Sequence, residues 1–478
     1  MANPTAPAKP APAELPRQLG LADLVLLNIV AIVNINLVPV AAAGGFPSVS
    51  LWLVALLFFF LPQGVAVAEF TTRYPEEGGI YVWTKRMFGE FHGFLAGWCY
   101  WTNNVFYIPT LLFYLVGISV YVGGEEYLAL GDNRVFVLLF SMGLLWLFAA
   151  LNIRGLGVGK WVNNLGGLGA IAATVILVTA GVAVLRQQGA VALPPAASFL
   201  PTFGDWRTLG GLSVLCFALV GLELGSVMGA EIKHPRRDVP RAALWGGMAC
   251  AVLYLSATLA LLLALPRSEI SVIQGVLQAF QRMAAQVGLT EWLSPMALVL
   301  TISVAGATSA WLAGSARIPF VAGLDRYLPS WLGRLHPRWK SPYAALLAHA
   351  GASSVFILMS FVGEAQVKEA YLTMLQLAVF IQLVPFVYLY AGLFRAAGTP
   401  GGYYRRAWWL RATGLAGLLT TLLAMATAFV PSEDIQSVWW FEAKMVMGTM
   451  LFLGAAAALF RWRPGRRPAA VLSREEQE

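Results

Sequence analysis

The sequence AIVNINLVPV, residues 31–40, interrupts an apolar run that extends from Leu21 to Ala43. Asn34 and Asn36 place polar amide side chains in the middle of this run, and Pro39 lacks the backbone N–H that a helix interior uses. Inside lipid, the peptide groups freed at such a point need other partners. The stretch therefore predicts either a proline kink or a helix that is broken halfway across a membrane.

A second apolar run, residues 209–231, contains a matching interruption with the sequence FALVGLE, residues 217–223. Gly221 and Glu223 lie at a depth similar to that of the first interruption. Glycines alone would indicate close packing between helices. A carboxylate at mid-membrane is costly, however, and by default it faces a polar cavity or a partner. Together the two stretches predict a pair of discontinuous helices.

The composition around these stretches is that of a membrane protein. Of the 478 residues, 58% are hydrophobic and 12% are charged, and the mean hydropathy is +0.69. Apolar runs of the length needed to cross about 30 Å of hydrocarbon recur along the chain. The net charge of +8 lies in short loops between these runs, which argues against a nucleic-acid partner and favours the lipid bilayer as the partner of this chain.

The apolar runs predict an all-α integral membrane protein of about twelve spans. The predicted spans are Leu21–Ala43, Leu51–Thr72, Phe94–Val122, Val135–Asn152, Trp161–Leu185, Leu209–Glu231, Ala242–Leu265, Pro295–Val321, Pro342–Val362, Tyr371–Phe394, Leu410–Val430 and Val438–Phe460. Residues 1–16 and 464–478 are predicted to be tails, and residues 17–463 one membrane domain. Within it, residues 21–185 and 209–394 form two repeats, followed by two additional helices at 410–460.

The distribution of basic residues predicts the orientation. With these spans, 25 of the 32 lysines and arginines lie on the side of the termini and 7 on the other side. Because lysine and arginine are retained in cytoplasmic loops, both termini are expected in the cytoplasm of a multi-pass protein of the inner (plasma) membrane. Adding or removing one span would erase much of this asymmetry.

The two interrupted spans are five spans apart. Broken helices at corresponding places in two halves indicate inverted repeats, with a solute bound at the breaks near the bilayer midplane. The pattern is therefore typical of a transporter.

Three motifs carry a resemblance to a known family. YPEEGGIYVW, residues 74–83, follows the second span; FALVGLE continues to AEIKHPRRDVPRA, residues 230–242; and Trp311 to Arg317 leads to Asp325 and Pro329. The chain resembles the amino acid, polyamine and organocation (APC) transporter superfamily. Its EEGGI loop and its YIP sequence at residues 107–109 are most similar to the glutamate/GABA antiporter branch. The resemblance implies a five-plus-five inverted-repeat (LeuT-type) fold and transport of amino acids by alternating access.

The resemblance and the breaks together predict the substrate site. Unpaired N–H groups near residues 33–37 would hold a substrate carboxylate, and unpaired carbonyls near residues 217–220 would accept its ammonium group. Phe217 and Trp311 match family positions that line or cover the pocket. The predicted substrate-binding residues are Val33, Asn34, Ile35, Asn36, Tyr107, Phe217, Ala218, Val220, Gly221, Glu223 and Trp311.

Coupling to an ion, a proton or sodium, is the remaining part of the prediction. Glu223 is expected to bind protons or to hydrogen-bond span one near Asn34 or Asn36. Where proton-coupled relatives carry a lysine in the fifth helix, this chain has Gly169, so that mechanism is not supported. Thr308 and Ser309 are candidate oxygen ligands for sodium. No catalytic group, metal cluster or cofactor is expected.

Three alternatives remain open at this stage. The same fold could carry a polyamine or another organic cation, and a membrane protein of this shape could sense a solute without moving it. An enzyme is disfavoured because the sequence holds no paired carboxylates or nucleophile motif at catalytic spacing. The identity of the amino acid, the coupling ion and the oligomeric state do not follow from the sequence.

Overall fold

The structure is a computed structural model that describes residues 15–35, 37–188, 195–200, 206–266, 275–359, 367–430 and 437–462. In these ranges the chain is helical apart from its turns, and the extended pairing found there is a single bridge between Leu19 and Ile232. The predicted all-α membrane fold is confirmed. The expected tails fall mainly outside the described residues, so their proposed boundaries stay predictions.

Eighteen α-helices are found in the described ranges. In the first half these are α1 (Leu21–Ile32), α2 (Leu37–Ala43), α3 (Pro47–Ala55), α4 (Leu61–Arg73), α5 (Ile80–Phe88), α6 (Glu90–Ser119), α7 (Arg134–Ile153) and α8 (Leu156–Gln188). The others are α9 (Trp206–Ala218), α10 (Leu224–Val227), α11 (Pro235–Ala264), α12 (Gly275–Gln286), α13 (Leu293–Ser315), α14 (Arg317–Leu324), α15 (Tyr343–Met359), α16 (Val367–Ala396), α17 (Ala407–Thr427) and α18 (Val438–Trp462). A π-helical turn, Leu56–Phe60, joins α3 to α4 in one continuous span.

Nine helices in the described part of the chain are long and apolar enough to cross a membrane, and a tenth span results if α1 and α2 are counted together. The apolar helix α15 has 17 residues and is shorter than these. The exact count of twelve spans therefore stays a prediction. Large apolar side chains such as Trp439 and Met450 on α18 are exposed on the outside, as expected where lipid is the solvent.

Both predicted interruptions coincide with breaks between helices. Helices α1 and α2 are separated by residues 33–36 and bend by 52° relative to each other. Helices α9 and α10 are separated by turn residues 219–223. Gly221 has a φ of +140°, and a Cβ atom on it would lie 2.8 Å from Ile32 Cγ1. The two breaks therefore touch, and only glycine fits at their point of contact.

Two helices lie outside the predicted spans. Helix α5 is bounded by Gly79 and Gly89, which both have positive φ angles, and α12 lies between the seventh and eighth predicted spans. Each of these helices has one polar and one apolar face, so a search for long apolar runs does not find them. Helix α5 packs on α6, where a Cβ atom on Gly97 would lie 2.7 Å from the Tyr81 ring.

Helices α8 and α13 cross where Gly166 of α8 contacts Gly306 of α13. A Cβ atom on Gly306 would lie 2.5 Å from the Cα of Gly166, and one on Gly166 would lie 2.6 Å from the Cα of Gly306. This distance is shorter than any ordinary contact between carbon atoms. The backbones approach so closely because neither residue has a side chain.

We expect Gly306→Ala to lower the unfolding free energy by about 1–3 kcal/mol, because the added methyl group must push two helices apart. Gly143→Ala on α7 is the matched control, since no atom lies within 4 Å of a Cβ atom built there. The measurement is the apparent unfolding temperature of detergent-purified protein. Equal unfolding temperatures for the two variants would contradict the proposed close crossing.

Candidate functional site

One tyrosine hydroxyl joins the two breaks. The backbone N–H of Asn34 donates to Tyr254 Oη at 3.0 Å, and this hydroxyl donates to the carbonyl oxygen of Ile32 at 2.6 Å. The carbonyl oxygen of Ala218, from the second break, lies 3.2 Å from the same atom. The Trp52 indole stacks on the Tyr254 ring with centroids 4.5 Å apart. Tyr254 on α11 therefore satisfies peptide groups that both breaks remove from regular helices.

On its other side Asn34 bonds to Tyr107, which belongs to a cluster of three aromatic rings. Its Nδ2 donates to Tyr107 Oη at 2.8 Å, and the Tyr107 ring meets those of Phe217 and Trp311 edge-on at 5.3 and 6.3 Å. Trp311 is fixed by its own indole N–H, which donates to the carbonyl oxygen of Ala31 at 3.1 Å. Helices α6, α9 and α13 thus bring four predicted site residues together around the first break.

The Glu223 carboxylate is fully buried and makes three hydrogen bonds. Its Oε2 accepts from Gln63 Nε2 at 2.7 Å and from the N–H of Gly221 at 3.0 Å, and its Oε1 accepts from Tyr100 Oη at 3.1 Å. The Asn34 side chain donates to Tyr107 instead of Glu223, and Asn36, the other expected partner of Glu223 on span one, lies outside the described residues, so this bond stays a prediction. The positive φ of Gly221 turns the chain so that Glu223 faces α4 and α6 instead.

The other predicted residues of the first break are buried, and much of the backbone there is already engaged. Val33 and Ile35 are each at most 3% exposed, whereas Asn36 lies outside the described residues. The N–H of Val33 donates to the carbonyl oxygen of Ile29, and that of Leu37 donates to the carbonyl oxygen of Asn34. A substrate carboxylate would therefore have to displace some of these bonds.

The second break leaves acceptors open. Ala218 and Val220 are at most 3% exposed. The N–H groups of Leu219 and Val220 donate back into α9. Within the described part of the chain, we find no donor to the carbonyl oxygens of Leu219 and Val220. These are the carbonyls that the sequence analysis expected to face a substrate ammonium group.

The two hydroxyls considered for sodium lie on α13 and have protein partners. Thr308 Oγ1 donates to the carbonyl oxygen of Val304 at 2.7 Å, and Ser309 Oγ accepts from Asn152 Nδ2 at 3.0 Å. Both side chains are fully buried. Coordination of sodium by these oxygens stays a prediction.

The sequence analysis missed four polar residues of this site: Gln63, Tyr100, Asn104 and Tyr254. Tyr100, Asn104 and Tyr107 share one face of α6 because they are four and three residues apart. Asn104 Nδ2 donates to the carbonyl oxygen of Tyr100 at 2.8 Å, and its buried Oδ1 has no hydrogen bond to the described residues. The signal that could have found them is a polar side chain in the middle of an apolar run, as with Asn34.

We expect Tyr254→Phe to lower the unfolding free energy by about 1–3 kcal/mol, because buried peptide groups at the breaks lose their partner while the ring stays packed. Tyr127→Phe is the control, since its side chain is 49% exposed. The apparent unfolding temperature in detergent distinguishes them. If the Tyr254 variant were as stable as the control, the hydroxyl would not hold the two breaks.

Comparison with known proteins gives consistent similarities along most of the chain. The family model described as amino acid permease matches residues 20–452. An uncharacterized transporter of Legionella pneumophila is 27% identical over 91% of this chain and 95% of its own length. A glutamate/gamma-aminobutyrate antiporter of Lactococcus lactis is 23% identical over 88% and 85%, respectively, and a probable agmatine/putrescine antiporter of the same species is 25% identical over 62% of each chain.

Proposed function

Because the chain belongs to the amino acid permease family, we propose that it is a secondary active transporter of amino acids, working by alternating access as an exchanger or an ion-coupled permease. The family match confirms the resemblance to the APC superfamily inferred from the three motifs. Transport of amino acids or amines across a membrane is thus the general activity. The mechanism and the site are the proposal. Relatives named as transporters also support a role other than that of an enzyme.

The observation that carries the proposal is the contact between two broken helices inside a shell of aromatic rings. A zwitterionic substrate needs acceptors for its ammonium group, and the carbonyl oxygens of Leu219 and Val220 and the Oδ1 of Asn104 are suited to that role. Its carboxylate would bind N–H groups of the first break. Phe217 and Trp311 would then lie against its side chain.

The side chains around the breaks are closed to solvent. Asn34 is 7% exposed, Tyr107 and Phe217 are 6% exposed and Trp311 is 3% exposed. A solute can reach them only if helices on one side move apart, which is what alternating access requires. The structure therefore fits an occluded state of the proposed cycle.

Glu223 is the candidate for proton coupling. It is a carboxylate at the second break, and its partners Gln63 and Tyr100 lie on two other helices. A change in its protonation would weaken or strengthen contacts between three elements at once. Thr308 and Ser309 remain the candidates for sodium coupling.

A second candidate substrate class is that of polyamines and other organic cations. One relative is named as a probable agmatine/putrescine antiporter, and the site offers oxygen acceptors together with aromatic faces. The chain is a multi-pass membrane protein with a small-molecule substrate in either case. We propose that both termini are cytoplasmic, as the distribution of basic residues predicts.

The function can be tested by counterflow in liposomes. Liposomes that contain the purified protein are loaded with unlabelled amino acids or amines from a panel. They should accumulate the labelled substrate in a saturable manner. Competition by glutamate or GABA would support the amino acid, and competition by putrescine or agmatine alone would favour the organic cation. If nothing in the panel were exchanged or bound, both transport proposals would fail.

We expect Glu223→Gln to change the rate of this counterflow by about tenfold or more, because a charged acceptor of three hydrogen bonds is lost without a change in size. Glu291→Gln is the matched control, because Glu291 is exposed in a short turn before α13. Rates measured across pH separate a proton-coupling role from a static one: loss of the pH dependence in the Glu223 variant supports coupling. An unchanged pH profile and rate would count against it.

A further inference from the structure

A buried arginine on one helix forms ion pairs with two glutamates from different elements, and its hydrogen bond is to Glu231. The Arg317 side chain is 3% exposed and begins α14, directly after α13. Its Nε lies 2.6 Å from Glu231 Oε2 and 3.2 Å from Glu77 Oε1, and its Nη2 lies 2.5 Å from Glu231 Oε2. Its Nη1 also donates to the carbonyl oxygen of Ala313. The guanidinium therefore connects three segments.

Glu231 belongs to a unit made from two segments, the one before α1 and the one after α10, on the side of the N-terminus. Its carbonyl oxygen accepts from the N–H groups of Gln18 and Leu19 at 2.8 and 3.0 Å, and the N–H of Lys233 donates to the carbonyl oxygen of Leu19 at 3.0 Å. The bridge between Leu19 and Ile232 results from these bonds. The segment that follows α10 is thus tied to the segment that precedes α1, and the two can move together about the breaks.

Glu77 lies on the opposite side of the interface between the loop of residues 74–79 and the segment of residues 224–231, which we call the seam. It lies in the loop between α4 and α5, and its Oε2 accepts from the N–H of Ala230 at 3.0 Å. The N–H of Gly78 donates to the carbonyl oxygen of Val227 at 2.9 Å. Gly79 is so close that a Cβ atom on it would lie 2.8 Å from Ser226 Oγ. The loop therefore seals against α10 in the conformation described.

Two carboxylates compete for one guanidinium at this seam. Burial and then the neighbouring Glu231 carboxylate raise the pKa of Glu77 well above its ordinary value, although Arg317 opposes this shift. The nearby Lys85 pairs with Asp325 at 2.7 Å, and the Asp325 carboxylate also accepts from Tyr81 Oη. That lysine is therefore engaged elsewhere.

We propose that Arg317 holds a gate closed where the loop between α4 and α5 meets α10. Glu231 is the partner that moves away from Arg317 when the gate opens. Glu77 is the partner that keeps the guanidinium paired in the open state. The inference rests on the proposed alternating access. A buried arginine left without a carboxylate would be strongly unfavourable. The second glutamate lowers the cost of the open state, because it can give the guanidinium a charged partner once Glu231 has moved away.

The two glutamates are therefore expected to act in opposite directions. Without the Glu231 charge, the closed state loses its ion pair, so the seam should open more often. Without the Glu77 charge, the open state loses the carboxylate that we propose pairs with Arg317 there. The seam should then stay closed longer. A merely structural triad would loosen in both variants.

Cysteine labelling of substrate-free protein in detergent tests this directly. Ser226→Cys is nearly isosteric, 2% exposed and placed at the seam, in a background where Cys99, Cys216 and Cys250, all buried, are replaced by alanine. The reaction rate with fluorescein maleimide should rise by about tenfold or more in Glu231→Gln and fall in Glu77→Gln, since each shifts the population of the open state. Glu76→Gln is the matched control, because Glu76 makes an exposed pair with Arg86 in the same loop.

Faster labelling in both glutamate variants, or equal labelling in all of them, would overturn the gate. Size-exclusion profiles identify a variant that is unfolded. Arg317→Lys keeps the positive charge but not the planar guanidinium that can contact two carboxylates, so this variant should label faster than the parent. Because no substrate is present, failure here leaves the counterflow result unaffected. A failed counterflow panel with labelling as expected would instead overturn the transport proposal alone.

Discussion

A peptide N–H or C=O left unpaired inside a bilayer costs several kcal/mol, and this constraint governs the centre of the molecule. Two helices are broken at mid-membrane, so peptide groups lose their regular partners there. Tyr254 returns partners to three of them with one hydroxyl, and Gly221 allows the two breaks to meet. The unusual backbone is stable because a neighbouring helix completes it.

The buried Glu223 side chain is also stabilised by neighbouring helices. Glu223 lies at the second break without a basic partner among its described contacts, and amide, hydroxyl and backbone donors surround it instead. Such groups stabilise a carboxylate without fixing it as an ion pair would. The bonds reach α4 and α6, so a change in this carboxyl group would alter the contacts of both helices around the proposed substrate site. A local change can thus become a change in packing.

The sequence was sufficient for the all-α membrane fold and for the place of the breaks, because apolar length and mid-span polar residues are local signals. Asn34, Gly221 and Glu223 stood out for that reason. Their partners did not, since Tyr254 is 220 residues from Asn34 and Tyr100 is 123 residues from Glu223, and pairing at such separations depends on the folded packing. Glu223 was accordingly expected to face the first span. The short helices α5 and α12 were missed because amphipathic segments have no long apolar run.

The bridge between Leu19 and Ile232 has a practical meaning for work with the protein at its N-terminal end. A deletion that extends through Leu19 removes the segment that ties the first broken span to the sixth. Shortened versions of the protein are best cut ahead of Leu19, because losing this bridge would separate elements that lie more than 200 positions apart in the chain.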